Sequence, residues 1–316
     1  MKNFAYLQPT SFAEAAKALG ETSGSVAKGA GTDLMDLLKS RIVEPDAVVS
    51  LLGVNAIEKR GELGALSTLH DIATDEWIRM EFPALHQAAA EAATPQIRHV
   101  GTLGGNLAQT TRCWYFRTPG HDCIKKGAER CAAMDEHAEN RYHGIFPSGG
   151  CAAAHASNLA PALIALKAKV DCVHPDGDRT LDAALLYDTP KRGRVADHGL
   201  RDGEIIRAVR LEPSALTRRS VYLEVRERQS FDFALVAVAA AADVRDGKVH
   251  EVRIVCSGIA PTPFRLTAVE EKLTGGKLDV AAASLASRGA EPLAQNAFKA
   301  VILNRVVARA IEELAK

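Results

Sequence analysis

The chain has 316 residues, and 39 Lys plus Arg offset 39 Asp plus Glu, so its formal net charge is zero. That balance argues against an electrostatic grip on nucleic acid or on an anionic membrane. The longest apolar run, Phe233 to Ala242, is too short to cross a bilayer, so no membrane insertion is expected. Apolar residues make up 47%, enough for a sizeable core without staples, and the length allows two domains or one with subdomains.

The N-terminus carries no secretory pattern, and Glu14 interrupts it. The expected compartment is the cytoplasm, or the periplasm if the chain is exported folded with a partner that bears the signal.

The opening residues read as a β–loop–α–β unit. "SFAEAAKAL" has helical spacing, with Ser11 and Glu14 in a capping-box pattern; "SVAKG" and "AVVSL" read as strands around the helix "DLMDLLKS". "GELGALSTLHDIAT" leads from strand to helix, and "FPALHQAAAEAAT" is helical. From Thr110 to about Ser157 the periodicity fades, which is unusual for a compact domain unless something holds the segment. "LAPALIALKAKVDCVHPDGDRTLDAALLY" resumes helix, strand, turn and helix. A charged, glycine-bearing linker, "TPKRGRVADHGLRDGE", then gives way to strands ("EIIRAVRLEP", "SVYLEVRER", "ALVAVAAAADVRDGKVHEVRIVCSGIAP") and a helical tail. "DGK" is a hairpin turn. The expected organisation is residues 1–55, residues 56–190 with an insertion at about 110–157, and residues 191–316.

Two glycine-rich loops stand out. "KGAGTDL" runs through Lys28, Gly29, Ala30, Gly31, Thr32, Asp33 and Leu34. It follows a strand and precedes a helix, so its backbone N–H groups could cradle a phosphate. It is neither a dinucleotide fingerprint, because Leu34 stands where glycine is required, nor a P-loop. An ordinary βα turn is the other reading. "HVGTLGGNLAQ" contains Gly101, Gly104 and Gly105 for close backbone approach, and Thr102 and Asn106 as hydrogen-bonding side chains. Two such loops suit a pyrophosphate ligand with two ends to hold.

Of six cysteines, four fall in the weakly periodic segment: Cys113, Cys123, Cys131 and Cys151, with nine, seven and nineteen residues between them. No C-x₂-C knuckle is present, and the spacing is not ferredoxin-like. Four thiolates match a cubane cluster or a Cys₄ zinc site; four unligated thiols are the remaining reading. Arg112, Lys125, Lys126 and Arg130 could offset the charge of such a site. Cys172 and Cys256 lie in strand-like apolar contexts and read as packing residues. No arrangement of a hydrolase nucleophile appears, so no catalytic residue is assigned.

Taken together, "KGAGTDLMDLLK", "RHVGTLGGNL", "EVRERQSFDFALVAVAAAA" and "SGIAPTPFRLTAVEEKLTG" resemble, in order, segments of the flavin-binding subunit of the molybdenum hydroxylases, the xanthine dehydrogenase and carbon monoxide dehydrogenase group. The resemblance runs the length of the chain. It implies an α+β protein: a PCMH-type FAD-binding fold of two α/β subdomains, then a C-terminal domain of antiparallel sheet plus helices. It implies FAD held by both loops, with Asn158, Ile206 and Glu224 near the flavin. It implies a small [2Fe–2S] subunit and a large molybdenum-cofactor subunit as partners, substrate chemistry on the partner, and an external electron acceptor. "TRCWYFR" and "CAAAHASNLAPAL" look like the insertion of the periplasmic aldehyde oxidoreductase branch, which implies a [4Fe–4S] cluster on Cys113, Cys123, Cys131 and Cys151. A 4-hydroxybenzoyl-CoA reductase-like subunit and a zinc-stapled interaction protein are the alternatives. Two departures are visible: Asn158 where the family often has Asp, and Glu224 where it often has Lys.

Overall fold

The computed structural model describes residues 1–54, 58–188, 196–229 and 231–316. The chain begins with β1 (Ala5–Leu7), α1 (Phe12–Glu21), β2 (Ser25–Lys28), α2 (Leu34–Lys39) and β3 (Ala47–Ser50). These strands form a parallel sheet in the order β1-β3-β2. Parallel neighbours require crossovers, which α1 and the loop-plus-α2 segment supply. The Ser11 hydroxyl accepts from the Glu14 N–H at 3.2 Å, whereas the Glu14 carboxylate reaches back to the N–H and hydroxyl of Thr10. The expected cap is therefore shared over two residues.

Next come β4 (Glu58–Lys59), β5 (Glu62–Gly64), α3 (Leu69–Thr74), α4 (Glu76–Glu81), α5 (Pro83–Glu91), α6 (Pro95–Arg98) and α7 (Leu103–Leu107). The cysteine segment holds a single short turn, α8 (Trp114–Arg117), besides 3₁₀ turns. The chain continues with α9 (Leu159–Ala165), β6 (Lys169–Val173), β7 (Arg179–Asp182) and β8 (Ile205–Arg210). The second sheet is antiparallel, ordered β4-β5-β8-β6-β7. The boundary expected near residue 190 lies outside the described residues. β8, read from sequence as one of the C-terminal strands, instead pairs with both β5 and β6. Its Ile205, Ile206, Ala208 and Val209 are buried there. An apolar strand pattern says that a strand is buried, not which sheet buries it.

The last part comprises α10 (Ala215–Arg218), β9 (Ser220–Val225), β10 (Val236–Arg245), β11 (Lys248–Ser257), β12 (Phe264–Arg265), α11 (Thr267–Leu273) and α12 (Phe298–Ala315). Its antiparallel sheet has the order β12-β11-β10-β9. β10 and β11 are joined by the expected hairpin: Asp246 and Gly247 both take positive φ, 50° and 72°, as a type I′ turn demands.

β10 explains its own composition. Ala237, Ala239 and Ala241 pack into the core shared with α5 and α9, while Val236, Val238, Ala240 and Ala242 pack into the core under α12. Strand side chains alternate faces, so this one strand is a wall between two cores. The small residues let both layers approach closely. No helix among the described residues is long and apolar enough to cross a membrane.

Candidate functional site

The two glycine-rich loops meet. Gly29, just after β2, lies against the N-terminal end of α7: a Cβ on Gly29 would stand 3.0 Å from Oγ1 of Thr102. Gly31 has φ +85°, and a Cβ there would meet the Lys28 side chain at 2.9 Å. Both positions need glycine, one for space and one for backbone conformation. Among the described residues no acceptor meets the backbone N–H groups of Ala30, Gly31, Thr32 and Asp33. Successive unpartnered N–H groups in a turn make an anion-binding concavity. The first loop therefore presents free backbone donors of the kind that can hold an anion.

The second loop contributes differently. Its N–H groups are occupied within the fold: Leu103 donates to Ser67 O at 2.9 Å, Gly104 to Ala65 O at 2.8 Å, and Gly105 to Oγ1 of its own cap Thr102 at 3.1 Å. A Cβ on Gly101 would stand 2.9 Å from Ile97 O, and one on Gly104 would stand 3.0 Å from Cβ of Ala65. The close approach that these two glycines permit is to protein. Gly105 is exposed. The Asn106 side chain accepts from the Ser157 hydroxyl at 2.6 Å, which ties α7 to the start of α9. This loop is a rigid wall facing the first.

Asp33 joins the first loop to the cysteine segment. Its carboxylate accepts from the N–H and hydroxyl of Thr110 at 2.8 and 2.9 Å, and ion-pairs with Arg112 and Arg117. Arg117 also pairs with Asp36 of α2 at 2.7 Å. Burial alone would raise the Asp33 pKa; the Arg112 and Arg117 charges outweigh it and hold the carboxyl below its ordinary value. Sequence reading placed Asp33 in the loop but missed Thr110 and Arg117, because nothing local marks a partner 77 or 84 residues away.

Asn158 and Glu224 are in contact. The Asn158 amide donates to Glu224 Oε2 at 2.9 Å and to the Tyr222 hydroxyl at 3.0 Å, and Tyr222 donates to the same Glu224 oxygen at 2.7 Å. Arg226 ion-pairs with Glu224 and with Glu91 at the end of α5. Burial pushes the Glu224 carboxyl up, against these partners. The two departures from the family pattern thus form one hydrogen-bonded unit between α9 and β9. Ile206 is a core residue of β8, 4% exposed and paired with Cys172.

All six cysteines are unbridged. Cys123, Cys131 and Cys151 are buried and Cys113 is half-buried. Cys172 and Cys256 are buried in the strands, as expected of packing residues. Cys151 donates to Cys131, and that bond pulls the Cys131 thiol down to about 6 against its burial. The same bond, with burial, pushes Cys151 up. Burial raises Cys113 to about 11, and Cys123 and Cys131 lie within electrostatic reach of it. The Ala153 N–H donates to the Cys151 sulfur at 3.4 Å, and nearby backbone N–H groups act to lower the Cys113 and Cys131 thiols against their burial. Such amides favour thiolate ligands. In donor chemistry the loop fits a thiolate-held cluster. Among the described residues, however, no three His, Cys, Asp or Glu side chains come together as a metal-binding group.

The loop is ordered by the protein itself. Lys299 of α12, fully buried, donates to the carbonyls of Tyr142, His143 and Gly258 at 3.0, 2.9 and 2.8 Å. Asn296 donates to the carbonyls of His143 and Gly144, and Asn140 and Gln295 exchange two hydrogen bonds. Ile145 and Phe146 both donate to Ile259 O. The basic residues noted beside the cysteines have protein partners: Lys125 pairs with Asp197 at 3.1 Å, Arg130 pairs with Asp135, and Lys126 donates to Thr118 O.

A two-loop cradle on a parallel unit, backed by a mixed lobe and an antiparallel C-terminal sheet, is the build of a flavoprotein subunit. The family model for the FAD binding domain in molybdopterin dehydrogenase matches residues 2–213, and that for the CO dehydrogenase flavoprotein C-terminal domain matches residues 221–314. The chain belongs to the family of FAD-binding medium subunits of the molybdenum hydroxylases, and is an oxidoreductase subunit. It is 34% identical over 322 residues to the aldehyde oxidoreductase FAD-binding subunit PaoB of Escherichia coli strain K12, covering 99% of this chain and 98% of that protein. It is 22% identical to the glyceraldehyde dehydrogenase medium chain of Sulfolobus acidocaldarius, covering 87% and 83%. In fold it is similar to quinoline 2-oxidoreductase from Pseudomonas putida 86, with a TM-score of 0.74, 22% identity and coverage of 100% and 98%. The reconstituted CO dehydrogenase from Oligotropha carboxidovorans gives 0.74 at 20% identity, covering 99% and 98%.

Proposed function

We propose that this chain is the FAD-binding electron-transfer subunit of a molybdenum-containing aldehyde oxidoreductase. It would work with a small [2Fe–2S] subunit and a large molybdenum-cofactor subunit, and pass electrons to an external acceptor. The observation that carries the flavin reading is the contact of the two glycine-rich loops at Gly29 and Thr102, beside a run of unpartnered backbone N–H groups. The aldehyde class follows the full-length likeness to the Escherichia coli subunit.

FAD supplies the chemistry, accepting an electron pair and releasing it onward. This chain's residues bind and orient. The N–H groups of Ala30 to Asp33 would hold the pyrophosphate, Thr102 and α7 would close the opposite side, and Asp33 would hold the loop's shape through Arg112 and Arg117. The Asn158–Tyr222–Glu224–Arg226 unit would lie near the cofactor. Where the family often carries a lysine, this chain has Glu224, whose charge Arg226 balances, so no free cation there would favour negative charge on a reduced flavin.

We further read Cys113, Cys123, Cys131 and Cys151 as the holders of a [4Fe–4S] cluster. Supporting this are the place of all four unbridged cysteines in one loop, the burial of three of them, and the Ala153 N–H that donates to the Cys151 sulfur at 3.4 Å. The test is anaerobic co-purification of the native complex, followed by flavin, iron, sulfide and molybdenum analysis and assay against a panel of aldehydes. The reading predicts FAD, iron and acid-labile sulfide on this chain and aldehyde oxidation by the complex. A colourless chain containing zinc would refute it.

A further inference from the structure

The contact between Asn158 and Glu224 fixes what Asn158 can offer. The Glu224 side chain is 5% exposed and ion-pairs with Arg226. Arg226 is in turn clamped to the end of α5: it donates to the Glu91 carboxylate at 2.6 Å and to the Glu91 carbonyl at 2.8 Å. An arginine does not give up its proton, so it keeps the carboxyl beside it ionised. Burial works against that charge, and Arg226 with the bonds donated by Asn158 and Tyr222 sustains it. An ionised Glu224 can only accept.

The Tyr222 hydroxyl gives its hydrogen to Glu224 Oε2 at 2.7 Å. Toward any other neighbour its oxygen can only accept. Asn158 therefore faces two acceptors, the Tyr222 oxygen at 3.0 Å and Glu224 Oε2 at 2.9 Å. Its nitrogen must face them, because the amide oxygen turned that way would meet lone pairs alone. Both amide hydrogens are used there, so the oxygen is all that Asn158 has left to offer. No donor among the described residues meets that oxygen. Asn158 is half-buried and lines a cavity of about 310 Å³ beside Arg112 and Phe233. An amide that could present either face is thus locked as an acceptor.

We propose that Glu224 is a positioning residue for the flavin: with Tyr222 it holds the Asn158 amide so that the oxygen is turned toward the cofactor and accepts from a hydrogen-bond donor of FAD. The inference rests on the flavin reading above. It also joins the two departures from the family pattern. An aspartate at position 158 would set a second carboxylate against Glu224, so with Glu224 in place the neutral asparagine is the acceptor that fits.

The test is a double-mutant cycle on FAD affinity. The flavin-free full chain is titrated with FAD as wild type, Asn158→Ala, Glu224→Leu and the double variant, followed by quenching of flavin fluorescence well below the lowest melting temperature. Each single variant is expected to bind FAD about fivefold more weakly, as loss of one net hydrogen bond allows. The double variant is expected to lose about fivefold as well, because both changes break the same contact. A Glu224 that only supports the fold would lower the melting temperature and leave the two losses of affinity additive, at about 25-fold. That result, or wild-type affinity in either single variant, would overturn the proposal. Should Glu224→Leu fail to fold, Tyr222→Phe removes the hydroxyl of the same lock and takes its place in the cycle. A wild type that takes up no FAD refutes the flavin reading and this inference with it; a wild type that binds FAD while the losses add refutes this inference alone.

Discussion

Asp33→Asn isolates the joint between the cofactor loop and the cysteine loop. The substitution keeps the shape and leaves an oxygen for Thr110, but removes the charge facing Arg112 and Arg117. The three side chains are 18%, 26% and 13% exposed. Removing one partner of a fully buried pair costs about 3–5 kcal/mol. Partial exposure and the surviving Arg117–Asp36 pair bring this to about 2 kcal/mol, roughly a thirtyfold fall in the folded-to-unfolded ratio. The assay is urea unfolding of the purified chain at several pH values, with retained FAD measured alongside. Asp33 has a folded pKa below its unfolded value of 3.8. Its contribution is therefore complete above about pH 4 and is lost as pH falls through the lower folded value. The wild type should lose this increment on acidification, and Asp33→Asn should show neither the increment nor its loss. FAD retention should fall in the variant, because the loop loses its anchor. An unchanged urea midpoint at pH 7 together with full FAD retention would refute the assigned role.

Further outcomes follow from the same contacts. Cys→Ser at positions 113, 123, 131 and 151 should each lower iron content, whereas Cys172→Ser should not; equal iron in all five proteins, by colorimetric assay, would remove the cluster assignment. Lys299→Met should destabilise the chain by about 2–3 kcal/mol, by leaving the carbonyls of Tyr142 and Gly258 without a donor, and should speed proteolysis within residues 110–157. Ala240→Leu on β10 should cost about 1–3 kcal/mol through overpacking while leaving FAD content unchanged, as thermal melts and flavin release would report.

Local chemistry in the sequence specified much of the fold. The β–loop–α–β opening, the Asp246-Gly247 hairpin and the helical tail are written in turn residues and apolar period, and each stands where that reading put it. The strand Ile205–Arg210 was legible as a strand but not as a member of the second sheet, because its neighbours β5 and β6 are distant in sequence. The glycines were legible as positions of close approach; that Gly101 and Gly104 approach Ile97 and Ala65 rather than a ligand needed the packing. Asn158 and Glu224 read as two separate departures, and only their hydrogen bond makes them one feature. The order of the cysteine loop invited a metal as its cause, yet Lys299 and Asn296, more than 150 residues on, supply much of the restraint. Long-range side-chain bonds of this kind leave no local periodicity.

The central claim is that the turn at Gly29 and the start of α7 together grip FAD. It is tested most directly by FAD titration of the flavin-free chain, wild type against Gly29→Val, followed by quenching of flavin fluorescence. A valine side chain at position 29 would extend beyond a Cβ already 3.0 Å from the Thr102 hydroxyl and force the two loops apart. Tight, stoichiometric binding by the wild type and a loss of at least about tenfold in affinity in the variant, equivalent to 1.4 kcal/mol, is the result this account predicts. Equal affinity in a variant that melts like the wild type would contradict it.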